Sequence, residues 1–415
     1  MKEIQKIMKS AQNYSAHMKA LQNPLFVIFT AIALDAIGIG LIFPILPELL
    51  REVTHAGNVA PYIGITTALY AFMQFIFSPV LGSLSDRLGR RPVLLISLCG
   101  AAVSYIFMAF SSQLWMLLIG RAIAGLTSAN MAVATAYITD ISPEEQRAGR
   151  FGIFNAMFGI GFIIGPVLGG LLGDYWLRLP FMVAAGLNTC NMLLALLVLP
   201  ESHKPQRRNI DWAALNPLRP MKWAFSMRGL TPLILIFFIF SFSGEVYGTC
   251  WALWGMDTFK WNGLWIGLSL GTFGICQALV QGLLTGPAVR RMGERTAIFT
   301  GIACACLAAV LMAFARQSWA VFVIMPVFAL GGIGNPALQS LATKQVDMAK
   351  QGQFQGVLTS VISLSAIIGP LVFSSVYFLV QKEWPGAVWL SVVVVYMIVV
   401  PLVASLRLSP GSIGR

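Results

Sequence analysis

The chain is organised as long runs of apolar residues separated by short polar segments. Runs of about 20 residues recur from Pro24 to Leu406. An α-helix of this length crosses the ~30 Å hydrocarbon layer of a bilayer. The pattern therefore predicts an all-α integral membrane protein with twelve transmembrane helices, at about 25–48, 61–83, 92–112, 114–139, 149–173, 180–199, 230–254, 262–288, 296–314, 318–341, 353–380 and 386–406.

The longest polar segment, 200–229, separates six runs from six, and a repeat relates the two sets. GSLSDRLGRRP at 82–92 aligns with GPAVRRMGERT at 286–296, and IIGP at 163–166 aligns with IIGP at 367–370, both with a shift of 204 residues. Two parallel six-helix repeats with a substrate path between them are typical of transporters. We predict a cytoplasmic tail (1–24), a bundle (25–199), a cytoplasmic linker (200–229), a second bundle (230–406) and a cytoplasmic tail (407–415).

Composition and charge support a membrane protein and indicate its orientation. Only 11% of the residues are charged, against about a quarter in soluble proteins. Of the 28 Lys and Arg residues, 22 fall on the side that holds the N-terminus and 5 on the other, with Arg121 inside a run. Cytoplasmic loops carry this excess. We therefore expect both termini in the cytoplasm, and we interpret the net charge of +12 as a topology signal rather than nucleic-acid binding.

Cysteine and histidine residues indicate no metal or cofactor. All six cysteines lie in predicted helices without a CxxC pair, and no ligand cluster forms with the three histidines. We interpret the cysteines as small packing residues.

Three charges lie well inside the predicted helices: Asp35, Arg121 and Glu245. Charges at this depth are costly and usually mark ion or substrate pathways. We expect Arg121 to have Asp35 as its partner, and Glu245 to carry the coupling proton with Asp35 as the other candidate. The structural alternatives are an Asp35–Arg121 pair that only fixes helix packing and a Glu245 that only bonds a neighbouring helix.

Polar side chains at helical spacing predict a central cavity. Such stripes turn away from lipid, although single members also serve as hydrogen bonds between helices. The candidate cavity residues are Tyr70, Gln74, Asn155, Gln277, Gln281, Asn335 and Gln339. The aromatic residues nearby, including Trp251 and Phe273, suit a planar amphiphilic substrate.

Several motifs carry a family resemblance. GSLSDRLGRRP resembles the loop between the second and third helices of the major facilitator superfamily, LIGRAIAGLTSANMAVATAYITD its fourth-helix motif, and GIGFIIGPVLGG the fifth-helix antiporter motif of its drug exporters. LDAIGIGLIFPILPELLRE and AFSSQLWMLLIGR look like the bacterial tetracycline–proton antiporters. The resemblance implies a monomeric proton-coupled exporter in the bacterial inner membrane, with an amphiphilic small molecule and protons as partners.

The resemblance also assigns roles to the motifs. It implies that Asp86 docks on the eleventh helix and that Arg90 and Asp140 complete an ion cluster. The residues of this latch of the outward-open state are Gly82, Asp86, Arg87, Gly89, Arg90 and Asp140. For Arg87 and Arg91, a role in topology alone is the alternative. Gly82 and Gly89 would permit tight turns, and Asp86 would cap a helix start. The antiporter motif comprises Gly161, Gly165, Pro166 and Gly169, for which close packing is the alternative role.

Four departures from the resemblance concern polar positions inside the helices. Ser104 and Ala305 stand where tetracycline antiporters usually have aspartates, Gln277 where they have a histidine, and Glu245 where glutamine is expected. The titratable groups are therefore redistributed, and other drugs, siderophores or metabolites remain candidate substrates.

An uptake permease on the same scaffold is the alternative transport function. A membrane enzyme is disfavoured because the sequence shows no nucleophile–base–orienter set, and a sensor is disfavoured because it shows no appended soluble domain.

Overall fold

The computed structural model describes residues 24–203, 231–343 and 351–405. Most of the predicted linker and nearly all of both predicted tails lie outside the described residues. The helices are Pro24–Ile42, Leu46–Thr54, Ala60–Leu88, Arg90–Ala109, Leu114–Leu126, Asn130–Ile141, Glu144–Tyr175, Leu179–Val198, Thr231–Phe259, Gly263–Leu279, Thr285–Met292, Glu294–Phe314, Ser318–Gly331, Gly334–Thr343, Gln351–Val380 and Val388–Ser405. A π-helical segment, Val280–Leu284, joins two of them.

The prediction of twelve membrane-spanning helices is confirmed. In the described ranges, twelve helical segments are long and apolar enough to cross a bilayer, and no β-strand occurs. Large apolar side chains such as Leu197 and Leu379 are exposed on the outside of the bundle, as expected for surfaces that face lipid. We number the spans 1 to 12 in chain order. The fourth span is interrupted between Leu126 and Asn130, and the tenth between Gly331 and Gly334.

The sequence repeat has a counterpart in backbone geometry. Gly89 and Gly293, which the shift of 204 residues aligns, have φ angles of 107° and 77°, and they are the described glycines with positive φ. Such angles favour glycine, which has no β-carbon to clash. Arg91 donates a hydrogen bond to the carbonyl oxygen of Leu196 in span 6, and Arg295 donates to Ala404 at the end of span 12. Each bundle therefore ties its third helix to its sixth in the same way.

The two ends of the bundle differ in how the halves meet. We call the end where span 1 begins the Pro24 face and the opposite end the Arg51 face. At the Arg51 face, Arg51 of the first half forms an ion pair with Asp257 of the second at 3.3 Å. Asp257 also accepts a hydrogen bond from Tyr377 at 2.7 Å.

A second contact seals the same face. The Asp174 carboxylate at the end of span 5 accepts hydrogen bonds from the backbone nitrogens of Gly263 (2.8 Å) and Leu264 (3.0 Å) at the start of span 8. Close glycine packing accompanies these bonds, because a β-carbon on Gly170 would collide with the backbone of Gly263. The halves are therefore joined at the Arg51 face.

Candidate functional site

The three charges inside the spans line one cavity between the halves. It has a volume of about 240 Å³, and Asp35 and Arg121 reach it from the first half while Glu245 reaches it from the second. Its other polar lining residues are Thr67, Tyr70, Gln74, Ser97, Ser104, Tyr105, Thr127, Ser128, Asn130 and Thr249. We call it the charged cavity.

Asp35 is nearly buried and bonds to a residue that the sequence analysis did not single out. Its Oδ1 accepts a hydrogen bond from Asn130 Nδ2 at 2.9 Å. Asn130 begins the second segment of the interrupted fourth span. The interruption, which composition did not predict, positions the amide beside the carboxyl group.

Arg121 lies in the charged cavity without the predicted partner. Its guanidinium carbon is 4.6 Å from the centroid of the Tyr70 ring, and its Nε donates to the carbonyl oxygen of Thr66 at 3.5 Å. Among the described residues, no ion pair within 4.0 Å joins Arg121 to Asp35, so the prediction of a direct pair is wrong for this conformation. The aromatic face and the carbonyl oxygen offset the charge instead.

Glu245 is half-buried and lies where the second copy of IIGP packs on span 7. The position of a β-carbon on Gly369 would be 2.5 Å from Glu245 Cβ and 2.7 Å from its Cγ, so the glycine makes room for this side chain. Within the described part of the chain, the structure shows no hydrogen bond or ion pair to the Glu245 carboxyl group. The first copy packs in the same way, with Gly165 against Ile37 and Gly40 of span 1.

Tyr70 and Gln74 lie in the charged cavity as the helical spacing predicted. Both bond Ser128 Oγ, at 3.1 Å from Tyr70 Oη and 2.9 Å from Gln74 Nε2. Ser128 lies in the interruption of span 4 and was not identified from the sequence.

A second cavity, of about 560 Å³, lies among spans 5, 7, 8 and 10. Every residue that lines it is uncharged. Asn155, Gln277 and Gln281 supply amides, and aromatic walls come from Phe43, Phe158, Phe162, Tyr247, Trp251, Phe273 and Phe328. We call it the aromatic cavity. The rings of Phe273 and Phe328 stack at 4.6 Å, and the π-helical segment that holds Gln281 borders it.

Asn335 and Gln339 do not line either cavity, in contrast to the prediction from their spacing. Both are exposed on the second segment of span 10. Their spacing within the single segment Gly334–Thr343 puts both on one helix face, but that face is exposed rather than part of a cavity lining.

The predicted ion cluster forms at the Pro24 face within the first half. Arg90 bonds Asp140 through Nε at 3.0 Å and Asp86 through Nη1 at 2.5 Å. Arg87 is exposed. Among the described residues, the bonds of Asp86 and Asp140 join them to their own half and to the segment 202–203 that follows it.

Two details of the predicted latch are wrong. Asp86 lies in the last turn of span 2 rather than at a helix start, and the start of span 3 is instead capped by Glu201, whose oxygens accept from the backbone nitrogens of Arg90 (2.8 Å) and Arg91 (3.1 Å). Gly82 makes no tight turn: it lies inside span 2, and a β-carbon there would meet no atom within 4 Å. A carboxylate 110 residues away cannot be found by local pattern.

The antiporter motif forms a close seam between spans 5 and 1. β-Carbons on Gly161, Gly165 and Gly169 would collide with the backbone of span 1, and Pro166 lies inside the continuous helix. The carbonyl oxygen of Pro166 also lies against Gly267 of span 8. The motif therefore packs within the first half and across to the second.

Comparison with protein families gives a match to the model described as Major Facilitator Superfamily, over residues 28–370 and 233–413. The tetracycline resistance protein, class C, of Escherichia coli is 47% identical over 379 residues, which cover 91% of this chain and 96% of that protein. The tetracycline resistance protein, class G, of Vibrio anguillarum is 43% identical over 382 residues, covering 92% and 97%.

Among solved structures, the nucleoside transporter NupG matches with a TM-score of 0.76 at 17% identity, covering 92% of this chain and 99% of that one. The human organic anion transporter MFSD10 (TETRAN) matches with a TM-score of 0.68 at 22% identity, covering 92% and 99%. At these identities the similarity concerns the fold.

Proposed function

Because the chain belongs to the Major Facilitator Superfamily, and within it to the family of the bacterial tetracycline resistance proteins, we propose that it is a proton-coupled antiporter that exports an amphiphilic small molecule. Tetracycline-like compounds are the first candidates for that molecule. The observation that carries the proposal is the position of Glu245, which faces Asp35 and Arg121 of the other half across the charged cavity.

Glu245 is the proposed carrier of the coupling proton. A carboxyl group without a fixed partner among the described residues exchanges a proton without first breaking an ion pair. Since it lies between the halves, its exposure changes when they move. Asp35 is the second candidate, because it shares the charged cavity with Glu245 and Arg121.

The aromatic cavity is the proposed site for the planar part of the substrate. Stacked rings bind flat apolar bodies, and amides bind carbonyl and hydroxyl groups without requiring a charge. The absence of charged residues from its described lining distinguishes its role from that of the charged cavity.

The contacts between the halves support a mechanism of alternating access, because they close the described part of the protein at one face only. The excess of Lys and Arg residues supports a cytoplasmic Pro24 face, and with that orientation this conformation is closed toward the outside. The Asp86–Arg90–Asp140 cluster is then free of the described part of the second half, and docking of Asp86 on span 11 would stabilise the opposite state. We also propose that the chain acts as a monomer in the inner membrane, that both termini lie in the cytoplasm, and that the halves are residues 25–199 and 230–406.

Inverted membrane vesicles test the proposal. With an inside-acid pH gradient, vesicles that contain the wild-type protein should accumulate tetracycline, and the drug should drive protons out. Glu245→Gln keeps the size and hydrogen bonding of the side chain but cannot titrate, so it should lose uphill accumulation and retain binding and downhill exchange. Glu48→Gln, on an exposed position of the helix Leu46–Thr54, is the matched control.

The alternatives give different results. An uptake permease would raise the drug content of whole cells and would not fill inverted vesicles, whereas an enzyme would leave an altered product. Uphill transport at the wild-type rate in Glu245→Gln would exclude this residue as the coupling site and leave Asp35.

A further inference from the structure

A group of buried amides packs against the part of span 1 that carries Asp35. Asn188 and Asn191 of span 6 are 0% and 1% exposed, and Asn130 is 7% exposed. In each, the side-chain oxygen has no hydrogen-bond partner among the described residues. Buried polar atoms without a partner are rare, and water inside the protein commonly satisfies them.

The amide orientations are fixed by their nitrogens. Asn130 Nδ2 donates to Asp35 at 2.9 Å, Asn191 Nδ2 to the carbonyl oxygen of Ala31 at 3.2 Å, and Asn188 Nδ2 to Ala184 at 3.0 Å. Flipping Asn188 or Asn191 would place its oxygen against a carbonyl oxygen, and flipping Asn130 would place its oxygen against the Asp35 carboxylate. The unpartnered atoms are therefore acceptors.

The two amides of span 6 are placed on either side of Asp35. Asn191 contacts span 1 at Ala31, and Asn188 contacts it at Gly38, where a β-carbon would lie 3.2 Å from Asn188 Nδ2 and 2.9 Å from Tyr105 Oη. Ala31, Asp35 and Gly38 are spaced by four and three residues and so share one helix face. Asp35 lies between the two contact points, about 6 Å from one and about 4.5 Å from the other along the axis.

Two elements, spans 4 and 6, thus hold unpartnered acceptor oxygens on amides that contact the part of span 1 around Asp35, and the absence of a β-carbon at Gly38 makes room for the Asn188 side chain and Tyr105 Oη. Ser97 of span 3, whose hydroxyl is also buried without a described partner, lines the charged cavity beside this region. Water fits this set because one molecule both donates to the amide oxygens and bonds the carboxyl group.

We propose that spans 1, 4 and 6 enclose a water site behind Asp35, formed by Asn130, Asn188 and Asn191, through which Asp35 exchanges its proton while substrate fills the cavity. The bound water gives a proton to the Asp35 carboxylate as it accepts one from hydronium, so the carboxylate becomes the acid and the water stays neutral. On release the water takes that proton back and passes it on to bulk water. The proposal rests on the proton coupling put forward above. It adds two positioning residues, Asn188 and Asn191, that line neither cavity.

The other titratable or charged groups that face Asp35 lie in or along the charged cavity. They are Tyr70 of span 2, Tyr105 of span 3, Arg121 of span 4 and Glu245 of span 7. A bound substrate would separate these from bulk water. The amides of span 6 lie outside the cavity lining, and substrate would leave them in place.

The first test is an experimental structure of the full protein at a resolution that shows ordered water. We expect water within hydrogen-bond distance of the Asn188 and Asn191 side-chain oxygens. A well-resolved region without it would overturn the proposal. This result does not depend on transport, so it decides on the water site even if the protein does not export tetracycline.

The second test follows the Asp35 carboxyl band by infrared spectroscopy, identified as the band lost in Asp35→Asn. With saturating tetracycline, exchange into D2O should be at least roughly tenfold slower in Asn188→Leu and Asn191→Leu, because the leucine side chain excludes water. Asn188→Ala and Asn191→Ala, which leave room for water, should stay near the wild-type rate. Cys190→Leu, exposed on the same span, is the control for folding.

Two results would contradict the proposal. One is an unchanged exchange rate in both leucine variants. The other is equal slowing by alanine and leucine, which would mean that the amides only pack span 6 against span 1. Failure of tetracycline to bind would instead count against the proposed function.

Discussion

The charged cavity and the aromatic cavity share Phe43, Gly248 and Ala252 in their linings, yet they differ in chemistry. The first contains both signs of charge, drawn from both halves, and the second contains stacked rings and amides. Charged residues inside a membrane usually mark the pathways of protons or ions. A flat apolar site instead binds its ligand through the apolar area that the two bury against each other. If coupling takes place in the first cavity and recognition in the second, as proposed, substitutions in the two cavities should affect the two processes separately.

Removing the permanent cation should have the largest effect. Arg121→Ala leaves the carboxyl groups without a nearby positive charge, and we expect uphill transport to fall by roughly 100-fold, equivalent to about 3 kcal/mol. Arg121→Lys should not restore it, because lysine offers a point charge rather than a planar group over Tyr70. Proteoliposome flux measures both.

Asp35→Asn should also lower the flux, with substrate binding preserved. Wild-type activity in both Arg121→Ala and Asp35→Asn would show that the charged cavity is not the coupling region, and the contrast between the cavities would then fail.

Asp86→Asn should impair proton coupling and substrate transport together, since it acts on neither cavity directly. If Asp86 stabilises the outward-open state, its loss changes the free-energy difference between the two states by about 2 kcal/mol and lowers turnover roughly 30-fold. Cysteine accessibility at the two faces measures the shift. Glu145→Gln, an exposed acid on the same face, should have no effect, and normal turnover of Asp86→Asn at normal expression would exclude the latch.

Gly369→Ala should act on coupling alone. Its new methyl group collides with the Glu245 stem, and overpacking of about 1.4 kcal/mol would reduce proton-driven accumulation roughly tenfold. Equilibrium binding of tetracycline should change little. Gly186→Ala, where a β-carbon meets no atom within 4 Å, controls for the loss of a helical glycine; equal loss in both variants would refute a specific contact.

Phe273→Ala should act on recognition alone and have the smallest effect. Losing one stacked ring costs about 1 kcal/mol, so the apparent KM should rise roughly fivefold while the dependence on the pH gradient persists. Phe314→Ala, an exposed ring that lines neither cavity, is the control. An altered pH dependence in Phe273→Ala would mean that the two cavities act as one site.

The features predictable from sequence are those set by length and periodicity. Twelve apolar runs specify the spans, and a shift of 204 residues relates Gly89 to Gly293 before any coordinates are known. Tyr70 and Gln74 were placed in the cavity because an uninterrupted helix keeps its phase. Asn335 and Gln339 also share one helix face, but the spacing of two residues does not reveal which way that face is turned.

Partners across the fold were harder to predict. Arg121 and Asp35 line one cavity, as the sequence suggested. Their partners, Tyr70 for Arg121 and Asn130 for Asp35, depend on how each helix is rotated about its axis, which the sequence does not specify. The cap formed by Glu201 and the buried amides of span 6 depend on contacts between segments distant in sequence. A polar residue inside an apolar run was the available signal for those amides, and it does not reveal which atoms remain unpartnered.

The bond of Asp174 to the start of span 8 has a consequence for the resting protein. One half supplies the terminal acceptor for a helix of the other, so separating the halves at the Arg51 face leaves two amide donors to find water. A helix cap contributes about 1 kcal/mol, which favours the sealed arrangement roughly fivefold in population. Without substrate, this bond would hold the transporter with its binding surfaces turned toward the Pro24 face, and the transition that opens the Arg51 face must offset this bias before cargo can leave.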